Sequence, residues 1–296
     1  MRNTSKVGND QADTLRNMTA APLEGDVEQS TSVYSVTSGK GGVGKTALVA
    51  NLAWHLADAG KRVLILDADL GLANVDIVFG LSPQYNMNHF FSGERTLQEV
   101  MVEGPKGMMI LPAGSGLQNF IRLDGQQKMR LLDGLDSMQN HFDYVLIDTE
   151  AGISENVTYF NTAAQEILVV TTPEPTAITD AYALMKLLST QYHEKKFNLI
   201  VNQIHSEEEA LDVYRKLTMV ANRYLNISID YLGSVPEDRQ MVDAIRRQKV
   251  ISELYPTSKI FMSFQQLARR ICLEPLQSKP KGSLQFFWKK LLNMKG

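Results

Sequence analysis

The chain has 296 residues, 44% hydrophobic and 21% charged, enough to bury one large α/β core or one core with appendages. A formal net charge of −3 gives no global attraction to nucleic acid, and no direct sequence-specific nucleic-acid binding is expected. One cysteine, Cys272, excludes an internal disulfide, no apolar run reaches the roughly 18 residues of a membrane span, and the polar N-terminus lacks a signal-peptide core, so the sequence predicts a cytosolic protein.

Residues 1–31 are rich in Asn, Thr, Asp, Gln, Glu and Ser, a composition that cannot bury enough surface to order itself. Within them Asp10-Gln11-Ala12-Asp13-Thr14-Leu15-Arg16-Asn17-Met18 places Ala12, Leu15 and Met18 along one side of a helix too short to be stable alone. Composition leaves two readings open, an inert tail and a segment that folds on a partner.

From Val33 apolar strand runs alternate with amphipathic helical stretches, which predicts an α/β domain over residues 32–274, a doubly wound, mostly parallel sheet flanked by helices. The strand Val33-Tyr34-Ser35-Val36-Thr37 runs into Ser38-Gly39-Lys40-Gly41-Gly42-Val43-Gly44-Lys45-Thr46, and a helix is predicted from Ala47 to Gly60. Gly-x-x-x-x-Gly-Lys-Thr between a strand and a helix is a phosphate-binding loop, because its glycines let successive N–H groups turn toward a polyphosphate at a helix start. Gly39, Gly41, Gly42, Val43, Gly44 and Ala47 would line it, Lys45 would reach the terminal phosphates, and the Thr46 hydroxyl would ligate Mg²⁺. A second lysine, Lys40, lies inside the loop.

Val63-Leu64-Ile65-Leu66 is the next buried strand, and it delivers Asp67 and Asp69 to the carboxyl edge of the sheet, where ligands bind in such folds. Residues 81–107 suggest helices and loops over one face. Met108 to Leu111 is read as a strand before the turn Pro112-Ala113-Gly114-Ser115-Gly116, and residues 124–141 as a helix with Met129, Leu132 and Leu135 inward. Tyr144-Val145-Leu146-Ile147-Asp148 is an apolar strand ending in a carboxylate, the way a Walker B aspartate is presented to Mg²⁺, often through water. A strand from Glu166 leads to Pro175 and a helix from Thr176 to Tyr192. Leu199-Ile200-Val201-Asn202-Gln203 puts Asn202 at a strand end, without the Asn-Lys-x-Asp of a guanine-selective site.

The five histidines lack metal-ligand spacing and read as surface or capping residues, Arg246-Arg247 and Arg269-Arg270 as solvated helix faces, and Cys272 as a small buried residue on a helix. Residues 275–282 form a linker. In residues 283–296, Leu284, Phe287, Trp288, Leu291 and Leu292 recur at helical spacing opposite Gln285, Lys289, Lys290 and Asn293. That is the pattern of an amphipathic membrane-targeting helix, with a helix docked on the protein's own core as the alternative.

Lys40-Gly41-Gly42-Val43-Gly44-Lys45-Thr46 resembles the deviant Walker A signature of the MinD/ParA ATPases. The resemblance implies that Lys40 crosses a dimer interface to the nucleotide of the other subunit, so that Lys40, Lys45 and Asp69 are the catalytic candidates of an ATP- and Mg²⁺-dependent homodimer. Asp67 to Asp76 is similar to switch I of MinD and FlhG, in which Asp69 would orient the attacking water. Asp148-Thr149-Glu150-Ala151-Gly152-Ile153-Ser154 resembles switch II, where Glu150 replaces the usual proline or glycine and either points outward or weakens nucleotide binding or turnover. Asn202 would hold adenine, and Gly233-Ser234-Val235-Pro236-Glu237-Asp238 resembles the loop that completes the base pocket, which favours ATP over GTP.

Asp10-Gln11-Ala12-x-x-Leu15-Arg16 looks like the N-terminal motif of the FlhG family, MinD-like regulators of flagellar number and placement. There the motif stimulates the GTPase FlhF. The resemblance implies slow, regulatory ATP hydrolysis, an FlhF-type GTPase as partner, and flagellar switch (C-ring) proteins or a flagellar transcription regulator as further candidates. It also implies reversible attachment to the inner face of the cell membrane. A division-site or partitioning ATPase of the MinD/ParA type is the alternative. Iron-sulfur relatives are disfavoured by the single cysteine, and a metabolic P-loop enzyme by the lack of a substrate motif.

Overall fold

The computed structural model describes residues 31–69, 74–112, 125–136, 138 and 141–273. β1 (Ser32–Ser38), α1 (Lys45–Asp58) and β2 (Val63–Ala68) are followed by three short helices, α2 (Val75–Val78), α3 (Met87–Phe91) and α4 (Leu97–Val100). Next come β3 (Val102–Glu103), β4 (Met109–Leu111), α5 (Gly125–Asp136), β5 (Tyr144–Ala151) and α6 (Glu155–Ala163). β6 (Glu166–Thr171), α7 (Pro175–Tyr192), β7 (Lys196–Ile204), α8 (Glu207–Tyr224), β8 (Ser228–Pro236), α9 (Arg239–Arg246), α10 (Ile251–Leu254) and α11 (Lys259–Leu273) complete the described chain.

Among the described residues the strands form one eight-stranded sheet in the order β3-β4-β2-β5-β1-β6-β7-β8. Every pairing is parallel except β3 with β4. Helices cover both faces, so β1, β2 and β6 are buried along almost their whole length, and β2 and β6 carry continuous apolar runs over Val63–Leu66 and Ile167–Val170. On one face Leu48, Leu52 and Leu56 of α1 and Phe264, Leu267 and Ile271 of α11 pack on Val36, Ile65 and Leu146. On the other, Phe90, Leu131 and Phe160 meet Val33, Leu66 and Ile147, and α7 and α8 place Leu184, Leu188, Val213 and Leu217 against Val169 and Leu199.

Four local expectations are corrected. The helix expected over 124–141 spans Gly125–Asp136, and Met129 is 60% exposed. Its inward phase is set by Leu131 instead, which joins Phe90 and Leu97 in the core. Gly233 to Pro236, read as loop, is the last part of β8, held by pairing with Ile200 to Ile204 of β7. Cys272 does sit on a helix, but only half-buried. His55 is neither a surface nor a capping residue. It is buried under α10, where Ser252 Oγ lies 3.0 Å from its Nε2 and 3.0 Å from Asn51 Oδ1, and burial pushes its pKa down to about 4.

Candidate nucleotide site

β1 lies between β5 and β6, so its carboxyl end opens beside theirs with that of β2 one strand further on, and the glycine-rich loop follows at that edge. A Cβ on Gly39 would lie 2.1 Å from the Asp180 carbonyl oxygen of α7. Only a bare backbone lets the loop lie this close to α7. Gly44, at the position before α1, has φ 87, and no side chain caps the helix start, which leaves first-turn N–H groups for an anionic ligand. Gly39→Ala should therefore push the loop off α7, costing about 1–3 kcal/mol of stability as overpacked substitutions do, and should weaken nucleotide binding along with it. Paired thermal denaturation and nucleotide titration would check this, and an unchanged variant would show that the loop tolerates the displacement.

Lys45 opens α1 and is buried. Its Nζ donates to Ser38 Oγ at 2.8 Å, and Ser38 Oγ in turn donates to the Lys40 carbonyl at 2.7 Å. Burial lowers the pKa of this ammonium, opposed by the charges of Asp148, Asp69 and Glu150. A buried cation facing three carboxylates is poised for a polyanion bridged by a metal ion.

Asp148 ends the apolar run of β5 opposite Asp67 of β2 in the parallel register. Both carboxylates are buried. Burial raises Asp148 to about 7; a hydrogen bond from Thr46 and the charge of Lys45 work against this, while Asp67 and Asp69 add to it. Among the described residues Asp148 Oδ1 has no hydrogen-bond partner. An orphaned buried carboxylate oxygen next to a threonine hydroxyl fits a divalent cation that takes its remaining oxygens from phosphate and water.

Asp67 is the residue that sequence reasoning placed at the sheet edge without assigning it work. Its Oδ1 accepts the Asp69 N–H at 3.1 Å, and its Oδ2 accepts the N–H groups of Asn74 and Val75 at 3.1 and 3.2 Å. One buried carboxylate thus pins the chain on both sides of residues 70–73, with Asp69 on its near side. Burial raises Asp67 to about 6 in spite of these three bonds.

Lys40 projects to the other side of the loop, where its Nζ donates to Glu174 Oε1 at 2.6 Å and to Thr176 Oγ1 at 2.8 Å. Glu174 lies 134 residues away and had no local signal; the fold supplies this contact by placing α7 beside the loop. Asn202 stands at the carboxyl end of β7. Its Nδ2 donates to the Val43 carbonyl at 2.7 Å and its Oδ1 accepts the Gln203 N–H at 2.9 Å. Pro236 pairs with Ile204, the Glu237 N–H donates to the Ile204 carbonyl at 2.9 Å, and Asp238 caps α9 by accepting the Gln240 N–H at 2.8 Å. Asn202, Pro236, Glu237 and Asp238 therefore belong to the adjoining ends of β7 and β8, with Asn202 reaching the phosphate loop. Asp10, Gln11, Ala12, Leu15 and Arg16, and Leu284, Phe287, Trp288, Leu291 and Leu292, lie outside the described residues.

Residues 29–272 match the ParA family under the description NUBPL iron-transfer P-loop NTPase. The chain belongs to the MinD/ParA family of P-loop ATPases. It is 41% identical over 260 residues to the antiactivator FleN of Pseudomonas aeruginosa, covering 88% of this chain and 93% of FleN. It is 33% identical over 289 residues to the flagellum site-determining protein YlxH of Helicobacter pylori, covering 96% and 97%. Among solved structures, the septum site-determining protein MinD of Pyrococcus horikoshii in complex with Mg-ADP superposes with a TM-score of 0.64 at 25% identity, covering 81% of this chain and 96% of MinD. These relatives make the chain an FlhG-like member of the family.

Proposed function

We propose that this protein is an ATP-hydrolysing dimerisation switch that regulates flagellar number or placement. The observation that carries the reading is one of coverage. In sequence alignment the MinD of Thermotoga maritima accounts for 81% of this chain, whereas the flagellar YlxH aligns with 96% of it. An alignment over 96% of 296 residues must run beyond residues 32–274 into flanking sequence, and this supports a flagellar rather than a division-site relative.

In this reading residues 32–274 are the ATPase domain. The loop from Gly39 to Thr46, with Ala47, holds the phosphates, and Lys45 neutralises the terminal ones. Asp69, positioned by Asp67, orients water. Asn202 with Pro236, Glu237 and Asp238 borders the base. Mg²⁺, held by Thr46 and Asp148, would supply charge neutralisation on the terminal phosphate oxygens. Lys40 is held in cis by Glu174 and Thr176, and dimerisation moves it onto the partner's nucleotide. Residues 1–31 carry the partner segment, in which Ala12 and Leu15 give a small apolar anchor and Asp10 and Arg16 fix its register on an FlhF-type GTPase. Residues 283–296 follow the 275–282 linker as a membrane-targeting helix. One such tail is marginal in binding strength, while two on a dimer gain avidity of roughly 10²–10⁴, so that ATP controls residence at the inner face of the membrane.

The test uses the full chain with Mg-ATP and an FlhF-type GTPase. Asp69→Ala should give a lasting dimer by light scattering, and wild type should accelerate the partner's GTP hydrolysis. Gln11→Ala or Leu15→Ala should abolish that acceleration without changing this protein's own ATPase. If the Gln11 and Leu15 variants stimulate as well as wild type, or no stimulation occurs at all, the flagellar reading gives way to a division-site or partitioning ATPase.

A further inference from the structure

We propose that Glu150 sets the triphosphate-to-diphosphate preference of the nucleotide site, its fixed negative charge on the bulge of β5 disfavouring a terminal γ-phosphate. The inference rests on residues 38–46 forming an adenine-nucleotide site.

β1 and β5 pair Val36 with Asp148 but Ser38 with Ala151, so β5 has one residue more than its neighbour at this point. A bulge of this kind re-aims the side chains it carries and recurs beside active sites. One hydrogen bond ties the bulge to the phosphate loop, from the Gly152 N–H to the Ser38 carbonyl at 2.9 Å, and Ala151 lies close beside Gly41, 3.9 Å from where a Cβ would stand on that glycine. Glu150, the residue before Ala151, is thereby held next to the loop.

Its carboxylate is also anchored. Ser154 donates its hydroxyl proton to Glu150, and Ser154 Oγ accepts the Val157 N–H at 3.3 Å as the cap of α6. The side chain is half-buried, and its charge acts on the Lys45 ammonium. A γ-phosphate held by Lys45 would enter the same field and be repelled, while a diphosphate brings less charge into it. Even at about 12 Å and an effective dielectric near 20, one unit charge changes an affinity roughly tenfold. ADP then competes well with ATP, and the site responds to the ratio of the two nucleotides rather than to ATP alone.

Fluorescence titration of the full chain with N-methylanthraniloyl-ATP and N-methylanthraniloyl-ADP at fixed Mg²⁺ tests this. Glu150→Gln keeps the shape and the hydrogen bond to Ser154 and should tighten the ATP analogue about tenfold relative to the ADP analogue. Glu150→Asp keeps the charge and should leave the ratio within about threefold of wild type, which separates charge from packing. Equal changes for both nucleotides, no change, or an Asp variant that behaves like Gln would overturn the proposal. If wild type binds neither analogue, the nucleotide-site reading itself fails, a different result from an unchanged ratio.

Discussion

Lys45→Ala is expected to lower ATP affinity by at least about 10²-fold while the protein stays folded. In the wild type this ammonium is buried, bonded to Ser38 Oγ and faced by Asp148, Asp69 and Glu150. Its removal leaves those carboxylates without their local cation, so the pocket turns from charge-balanced to repulsive for a polyphosphate. Two unit charges at about 4 Å and an effective dielectric near 20 interact by about 4 kcal/mol, equivalent to roughly 10³-fold, and solvent entering the vacated space would screen part of this. The alanine is compatible with the first turn of α1, so circular dichroism should change little while calorimetric titration loses its signal. Affinity within about threefold of wild type would refute the role given to Lys45.

Much of the site was legible in the sequence because its parts are local. The phosphate loop is one continuous stretch, Asp67 and Asp148 each follow directly on an apolar strand run and Asp69 comes just past the end of β2, so all three are placed at the sheet edge by strand ends alone. The parallel sheet follows from the alternation of strand and helix, whereas the strand order that sets Asp67 beside Asp148 does not and comes from the packing of β2 against β5. What was illegible is non-local. Glu174 pairs with Lys40 only because α7 passes close over Gly39, and the Asn202 bond to Val43 exists because β7 ends level with the loop. His55 was misread because its partners, Ser252 and Phe261, come from about 200 residues downstream and convert a polar residue on α1 into a core residue. Met129 failed for a different reason. In a helix with three glycine or aspartate positions in its second half, polarity did not fix which apolar residue faces inward, and packing of Leu131 beside Phe90 and Leu97 decided it.

The second large effect is on stability without nucleotide. Asp148 has an ordinary carboxylate pKa of 3.8 when exposed, and burial raises it to about 7 in the folded chain. Between those values the native state binds a proton that the unfolded state has lost. The associated stability is complete below about pH 4 and disappears as pH rises through about 7, a loss on the order of 4 kcal/mol for Asp148 alone. Asp67, raised to about 6, works in the same direction, and because the two carboxylates repel each other their costs do not add. His55 works in the opposite direction, since its pKa near 4 means that stability is lost as pH falls below about 6.5. Comparison with Asp148→Asn cancels the His55 contribution. The variant should match wild type near pH 4 and exceed it by several kcal/mol at pH 8 in urea denaturation without Mg²⁺ or nucleotide. Mg-ATP should reverse the order, because the ionised Asp148 then meets a cation and the asparagine offers it no charge. A difference that stays flat from pH 4 to 8 would mean that Asp148 is already compensated within the protein, and the case for a metal ion at Thr46 and Asp148 would lose its physical basis.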